Sequence, residues 1–327
     1  MPSAAITSMT TGPGAPGHAD GSTLEPVSVT MMPPAPDATA LHSTMPETGA
    51  GARGCVGVLG MGSFVSRPLL SRLALAGYAS WPIASRAAAA DRVSAVATPG
   101  GITAAVALCP LWGLVDRLPA LTALGIRRIV AVSSMSRVTK AASPDPDERA
   151  VAERLAAAED AVARWAERHA TRVTILRPTL VYDGVHDRNV TRIAGFVRRW
   201  RFFPLVGAGC GLRQPLHADD LAAACVSALD APSPRPCYDV AGGETLTYRE
   251  MVSRIFVAVG RRPRFVEVPR VLVRAALPLL GLLPGFRGVS VAAFDRMNEP
   301  LVADNAAAVA DLGFAPRPFN PRSGSPP

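Results

Sequence analysis

The feature that constrains the fold most is a regular alternation, from residue 54 onward, of short apolar runs and longer amphipathic stretches. In the first amphipathic stretch Val65, Leu69 and Leu73 recur at helical spacing. The predicted strands are 54–60, 78–86, 102–110, 126–136 and 172–184, and the predicted helices are 64–77, 111–125 and 146–170. Strands that alternate with helices form a parallel sheet covered on both faces. The sequence therefore predicts an α/β fold, a Rossmann-type doubly wound parallel sheet.

The rhythm changes after about residue 185. Helices are predicted at 189–201, 219–230, 247–260 and 270–283, and strands at 237–242 and 264–269. We therefore expect a Rossmann domain over 54–185 and a small C-terminal substrate or cap region over 186–318. Some strands and helices of the cap region are expected to return to the core, and 319–327 to form a flexible tail.

Residues 1–50 are rich in Pro, Gly, Ser, Thr and Ala, lack a hydrophobic period and are expected to be disordered. They carry no basic or apolar region typical of a secretory signal, and no arginine typical of a transit peptide. Met31, Met32 and Met45 are alternative starts. The interpretation is a cytoplasmic protein.

The net charge of +8 is unevenly spread, because residues 1–50 contain four acidic residues and no Lys or Arg, so the rest of the chain carries +12. A basic body favours anionic partners. Aromatic residues are only 6% and no basic strand is interleaved with them, which argues against nucleic acid. The five cysteines form no C-x-x-C pair, so no metal site is predicted. A small, phosphate-bearing substrate fits this composition.

A glycine turn, GMGSFVS, joins the first strand to the first helix at residues 60–66. The free N–H groups of a helix start favour a pyrophosphate, and glycine permits close backbone approach. Gly60 and Gly62 supply that freedom, whereas Ser63 and Ser66 stand where glycines usually follow. Serine at these places costs strain if a positive φ is needed. The turn predicts dinucleotide binding, and a tight turn without ligand is the alternative.

The end of the second predicted strand bears on which dinucleotide binds. An acidic residue there would bond the ribose 2′-hydroxyl, whereas an arginine accepts a 2′-phosphate. Arg86 ends this strand, and the next acidic residue is Asp91. NADP is therefore favoured over NAD.

Several motifs together resemble the extended and atypical short-chain dehydrogenase/reductases. They are VSSMSR, LRPTLVYDG, PLHADDLAAA, YDVAGGETLTYREMV and DLGFAPRPF. The chain is most similar to the NAD-dependent epimerase/dehydratase-like group, which is related to the nucleotide-binding accessory subunit of respiratory complex I. The resemblance implies that the cofactor contacts Gly60, Gly62, Ser63, Phe64, Val65, Leu108, Cys109, Pro110, Ser133, Arg177, Pro178 and Thr179.

Two departures from this group stand out. Only 15 residues separate Arg86 from Ile102, so one crossover element is expected to be shortened or missing. Dehydrogenases of the group use a tyrosine and a lysine four residues later to move a proton. None of the four tyrosines here precedes a lysine in this way.

Three residues are candidates to replace the missing acid. Ser134 lies at the exit of the predicted strand 126–136, and Lys140 follows on the turn toward the long helix. A lysine in a partly desolvated cleft can act as acid or base. Tyr182, after the LRP turn, is a further candidate, with core packing as its alternative. We therefore predict Ser134, Lys140 and Tyr182 as catalytic candidates.

Substrate contacts are predicted in the second region. Arg192 and Arg199 share one helical stripe, and Arg213 lies nearby in sequence. Arginine suits phosphate, although a solvated basic face is the alternative. His217 is expected to face the cleft, with Asp219 or Asp220 capping the next helix.

Two functions from different classes follow. The first is an NAD(P)-dependent oxidoreductase or nucleotide-sugar epimerase-like enzyme with a degenerate tyrosine and lysine motif. The alternative is a catalytically inactive dinucleotide-binding sensor, or an accessory subunit of a membrane complex. The leucines of residues 275–286 allow peripheral membrane contact. This run is too short to cross a bilayer, because a membrane-spanning helix needs about 20 apolar residues.

Overall fold

The structure, a computed structural model, describes residues 53–83, 101–269, 271 and 296–322. Its main sheet has six strands in the order β10, β5, β4, β3, β1, β2, and every neighbouring pair is parallel. The strands of this sheet are β1 Cys55–Leu59, β2 Ala79–Ile83, β3 Ile102–Ala107, β4 Arg128–Val132, β5 Arg172–Pro178 and β10 Cys237–Val240. The predicted doubly wound parallel sheet is confirmed.

Nine α-helices of the described residues flank this sheet or form the smaller C-terminal lobe. They are α1 Ser66–Leu75, α2 Leu111–Val115, α3 Leu118–Ala123, α4 Ser136–Thr139, α5 Pro146–Arg168, α6 Val190–Trp200, α7 Ala218–Asp230, α8 Tyr248–Ala258 and α9 Ala306–Leu312. Val65, Leu69 and Leu73 are buried as predicted, and Pro68 lies in the first turn of α1. Asp145 caps α5 by accepting a hydrogen bond from the amide of Asp147.

The single helix predicted over 111–125 is wrong. The structure has two short helices, α2 and α3, with Arg117 between them as the N-cap of α3. Pro119 lies in the first turn of α3, where its missing N–H costs nothing. In the interior of a continuous helix the same proline would break it, and this explains the division.

The smaller lobe is built on three short two-stranded pairings. β7 Phe203–Val206 pairs with β12 Phe265–Val268, β8 Leu212–Arg213 with β11 Leu246–Thr247, and β6 Val181–Tyr182 with β9 Leu216–His217. Between these excursions the chain returns to the main sheet twice, because α7 packs against α1 and β10 pairs with β5. The C-terminal region therefore supplies a strand and a covering helix to the main sheet.

Several sequence predictions fall outside the described residues. These are the disorder of 1–50, the position of Arg86, the length of the crossover before β3, the helix over 270–283 and the tail 319–327 beyond residue 322. Within the described part, β2 is an edge strand of the sheet. No helix there has the length and apolar character needed to cross a bilayer.

Candidate functional site

The glycine turn lies directly against the end of the neighbouring strand β3. Gly60 has a φ of +83°, and a Cβ there would lie 2.7 Å from the carbonyl carbon of Leu108 and closer still to the amide nitrogen of Cys109. The amide of Leu108 donates to the carbonyl of Leu59 over 2.9 Å. Only glycine allows this backbone approach. The structure thus brings together the two predicted cofactor segments at the carboxyl edge of the sheet.

The turn leaves backbone donors available. The amide of Ser63 donates to Gly60, and the amide of Val65 to the hydroxyl of Ser63. Within the described residues the amides of Met61, Gly62 and Phe64 make no hydrogen bond. A set of free amides at the start of a helix is the arrangement that holds a phosphate group. The turn therefore fits a dinucleotide pyrophosphate.

The two serines of the turn carry no backbone strain. Neither Ser63 nor Ser66 has a positive φ, so the penalty considered from the sequence does not arise. The Ser66 hydroxyl donates to the carbonyl of Met61 over 2.9 Å, and the Ser63 hydroxyl accepts from the amide of Val65. These serines stabilise the turn from within, which lets it keep its shape with two glycines fewer.

A cavity of about 380 Å³ opens beyond the ends of β4 and β5, on the same edge of the sheet. Five residues predicted as site residues line it: Ser134, Lys140, Pro178, Thr179 and Arg213. Tyr248, Arg296 and Glu299 from the C-terminal lobe complete its wall and were not predicted. We call this cavity the carboxyl-edge pocket.

Lys140 lies in a charged cluster on this pocket. Its Nζ is 3.6 Å from Oε1 of Glu148, and Glu148 also pairs with Arg296 and accepts from the Ser143 hydroxyl over 2.8 Å. Partial burial, followed by the nearby Arg296 charge, lowers the pKa of Lys140 below its usual range. A lysine with a lowered pKa can exchange a proton more readily near neutral pH.

Ser133 and Arg177 have their polar side-chain groups engaged elsewhere. The Ser133 hydroxyl donates to the buried carboxylate of Glu159 over 2.6 Å, and the Arg177 guanidinium pairs with the same carboxylate. Arg137 approaches Glu159 as well, at 2.9 Å, and Arg177 also reaches Asp239. Ser133 and Arg177 are therefore part of a buried ion network, and their predicted contacts with a cofactor stay predictions.

Thr179 and Arg213 line the pocket but also fasten its wall. The Thr179 hydroxyl donates to the carbonyl of Gln214 over 2.6 Å. The Arg213 guanidinium donates to the carbonyls of Leu212, Glu299 and Arg296, and its burial lowers its pKa. Two of these hydrogen bonds, to Glu299 and Arg296, hold the segment from Arg296 to Leu301 over the pocket.

Tyr182 and His217 lie together in the core of the C-terminal lobe. Tyr182 is 1% exposed, and its hydroxyl accepts from the amide of Asn320 over 3.1 Å. The His217 ring packs edge to face against it, and Nδ1 of His217 accepts from the amide of Asp219. The predicted cap at Asp219 or Asp220 is wrong, since His217 is itself the N-cap of α7. Neither ring lines the carboxyl-edge pocket.

Arg192 and Arg199 are exposed on α6 and do not line the carboxyl-edge pocket. The Arg199 guanidinium lies over the ring of Trp200. Of the residues that were not predicted, Glu148 carried a signal, because it is an acidic residue in the first turn of a long helix. That signal indicates a dipole interaction, and only the folded chain places it beside Lys140 and Arg296.

Comparison with known proteins gives the same grouping as the motifs. Residues 114–241 match the model of the NAD dependent epimerase/dehydratase family. A curated relative is the NADH dehydrogenase [ubiquinone] 1 alpha subcomplex subunit 9, mitochondrial, of Arabidopsis thaliana. It is 30% identical over 203 residues, which cover 59% of this chain and 48% of that protein. The resemblance to this family and to the complex I subunit is confirmed.

Solved structures show the same fold. UDP-glucose 4-epimerase of Thermotoga maritima, with UDP-glucose, has a TM-score of 0.60 at 14% identity and covers 83% of this chain and 96% of its own. The structure of RMD from Pseudomonas aeruginosa, complexed with NADPH, has a TM-score of 0.60 at 18% identity, with 82% and 96% covered. The chain spans about half the length of the curated relatives it matches.

Proposed function

We propose that this chain, whose residues 114–241 match the model of the NAD dependent epimerase/dehydratase family, binds a nicotinamide dinucleotide at the carboxyl edge of its sheet. The observation that carries the proposal is the set of free amides at Met61, Gly62 and Phe64, on a turn that Gly60 holds against Leu108 and Cys109. Solved structures of the same fold were determined with NADPH and with NAD, which supports this ligand class.

The dinucleotide would supply a hydride acceptor or donor when bound. The carboxyl-edge pocket would hold the substrate, and Lys140 would exchange a proton with a substrate oxygen there. Glu148 positions Lys140, while Ser134 offers a hydroxyl whose oxygen accepts from the amide of Ser136. The function is then that of an oxidoreductase or a nucleotide-sugar epimerase-like enzyme in which lysine replaces the tyrosine acid. Tyr182 has no part in this proposal, because its ring is in the core.

A second candidate is a dinucleotide-binding accessory subunit or sensor without turnover. Two observations favour it. The family's tyrosine and lysine pair is missing from the sequence, and one curated relative is a subunit of NADH dehydrogenase. Both candidates share the dinucleotide site and differ only in whether hydride moves.

Two measurements separate the candidates. Calorimetry of the full chain with NAD, NADH, NADP and NADPH tests binding, and hydride exchange between a bound nicotinamide and a second nicotinamide dinucleotide tests transfer. Binding without exchange supports the accessory or sensor function. Once a turnover assay exists, Lys140→Ala and Ser134→Ala should each lose at least about 100-fold in activity, which is the scale of general acid catalysis. Arg192→Gln, an exposed site away from the pocket, serves as the control.

Finer features of the site belong to the same proposal. Arg86 would favour NADP over NAD, and replacing it by glutamine should weaken NADP binding and leave NAD binding unchanged. A phosphate-bearing substrate in the pocket would use the remaining donors of Arg213, because Arg192 and Arg199 lie outside the pocket lining, and some of the solved structures hold nucleotide-sugars. A cytoplasmic location, with or without peripheral membrane contact, is testable by fractionation of cells.

A further inference from the structure

A second cavity, of about 480 Å³, lies at the opposite edge of the sheet, where the strands begin. Its wall includes Arg53, just before β1, Arg127 and Arg128 at the start of β4, and Arg172 at the start of β5. Four arginines thus converge from three segments of one sheet edge, the starts of β1, β4 and β5. We call this cavity the amino-edge pocket.

The sheet register forces like charges together in this pocket. Arg128 pairs directly with Arg172 across β4 and β5, at a strand spacing of about 4.8 Å. Like charges directly opposite each other on neighbouring strands are destabilising. Within the described residues these four arginines have one carboxylate partner, Asp230, which pairs with Arg53 at 3.0 Å. Arg127, Arg128 and Arg172 therefore lack an anionic partner among the described side chains.

Most of the guanidinium donors in the pocket are uncommitted. Arg128 donates to the carbonyl of Leu229, and Arg172 to the carbonyl of Pro232, so each holds the end of α7 with one nitrogen. The Arg127 guanidinium makes no hydrogen bond or ion pair among the described residues. A guanidinium has five N–H donors in a planar fork that matches phosphate oxygens. The remaining donors are available to a ligand.

We propose that the amino-edge pocket binds an anion that carries two or more phosphate groups. Its volume lies within the range of about 300–1,000 Å³ that is usual for small-molecule sites, which is more than a single phosphate needs. Such an anion would relieve the repulsion between Arg128 and Arg172 and would pair with Arg127. The inference does not depend on the dinucleotide site, because the two cavities lie at opposite edges of the sheet.

Calorimetry of the full chain with inorganic pyrophosphate alone tests the proposal. The arginine variants are Arg127→Gln and the double change of Arg127 and Arg172 to glutamine, both at exposed positions. The double change of Arg192 and Arg199 to glutamine is the matched control, since it removes the same charge from exposed positions on α6. We expect the double pocket variant to raise the pyrophosphate Kd at least tenfold, the single variant less, and the control to change it less than twofold.

Pyrophosphate can also reach the glycine turn, so the titration is repeated with saturating NADH and in Gly60→Ala. Binding that persists in both and is lost in the pocket variant supports the proposal, whether or not NADH itself binds. A second arm uses vesicles with phosphatidylinositol 4,5-bisphosphate, whose headgroup carries more than one phosphate, in place of free pyrophosphate. Association with these vesicles alone, lost in the pocket variant, assigns the phosphates to a lipid headgroup. Equal loss in the control variant, or no binding in either arm, overturns the proposal.

Discussion

The two edges of the main sheet differ in how their charged side chains are paired. At the carboxyl edge the charged side chains pair with carboxylates, Arg177 with Glu159 and Lys140 with Glu148, and the free donors are backbone amides of the glycine turn. At the amino edge the backbone is engaged in the sheet, and the free donors are arginine side chains. A ligand site made of backbone is a property of the fold, whereas a site made of side chains belongs to this sequence.

The largest effect is expected from breaking the buried pairing at the carboxyl edge. Glu159→Gln would leave Arg177 and Arg137 without their buried anionic partner, at a cost of about 3–5 kcal/mol in the free energy of unfolding. Glu153→Gln, on the exposed face of the same helix, should change it by less than about 0.5 kcal/mol. Urea denaturation measures both. If both variants lower the free energy of unfolding equally, the ion pairs of Glu159 do not stabilise the fold more than an exposed carboxylate does.

The next effect tests the backbone site itself. Gly60→Ala should raise the Kd for the dinucleotide at least about 100-fold, or about 2.7 kcal/mol, because its Cβ would displace the backbone of Leu108 and Cys109. Gly125→Ala is the matched control, since Gly125 has a φ of +73° and nothing within 4 Å of its Cβ. Both variants carry the cost of a positive φ, about 1–2 kcal/mol. Fluorescence titration with NADPH should therefore separate them, and equal Kd values would contradict the site.

Helix α7 runs between the two edges of the sheet, and the stability that Asp219 at its start contributes is expected to depend on pH. Asp219, near its start, accepts hydrogen bonds from Arg72 and from Arg317, and these hold its pKa at about 2, below its usual 3.8. The lowered pKa contributes about 2 kcal/mol of stability at pH 7. This contribution is complete above pH 3.8 and is lost as the pH falls toward 2. Asp219→Asn should remove it, so the stability difference from the unmodified chain should shrink between pH 5 and 2 in urea titrations.

The smallest effect is expected at the amino edge. Arg127→Gln removes a charge that has no partner in the described part of the chain, next to the opposed pair Arg128 and Arg172. Without added phosphate the variant should be more stable by a few tenths of a kcal/mol, because repulsion falls. The gain should vanish at high salt, where such repulsion is screened. A loss of stability in low salt would show that Arg127 is already paired.

The sequence predicted the fold because the signals for strands and helices are local. The buried stripe of Val65, Leu69 and Leu73 can be read from spacing alone, whereas the approach of Gly60 to Leu108 and Cys109 was not predicted and is seen only in the folded chain. The division of α2 from α3 was also readable, since Pro119 is a local signal that the interpretation of one helix neglected.

The use of each polar side chain was less predictable. The Glu159 carboxylate accepts hydrogen bonds from Ser133 and Arg177, which are 26 and 18 residues away in sequence. No rule of sequence spacing indicates such a network. Arg213 was predicted to bind substrate, but its guanidinium also donates a hydrogen bond to the carbonyl of Glu299, which lies 86 residues later in the chain. Asp219 or Asp220 was expected to cap α7, but His217 is the N-cap, and its edge-to-face packing against Tyr182 is a contact that the sequence does not reveal.

The pairing of β10 with β5 has a practical consequence for dissecting the molecule. A fragment ending at residue 185 would keep the glycine turn but lose both the neighbour of β5 and the helix that covers α1. In this fragment β5 would present unpaired N–H and C=O groups beside an uncovered apolar face, and this combination favours self-association. Expression of residues 54–185 by themselves should therefore yield aggregates, and a shortened protein that stays in solution would have to extend past Val240 and keep α7.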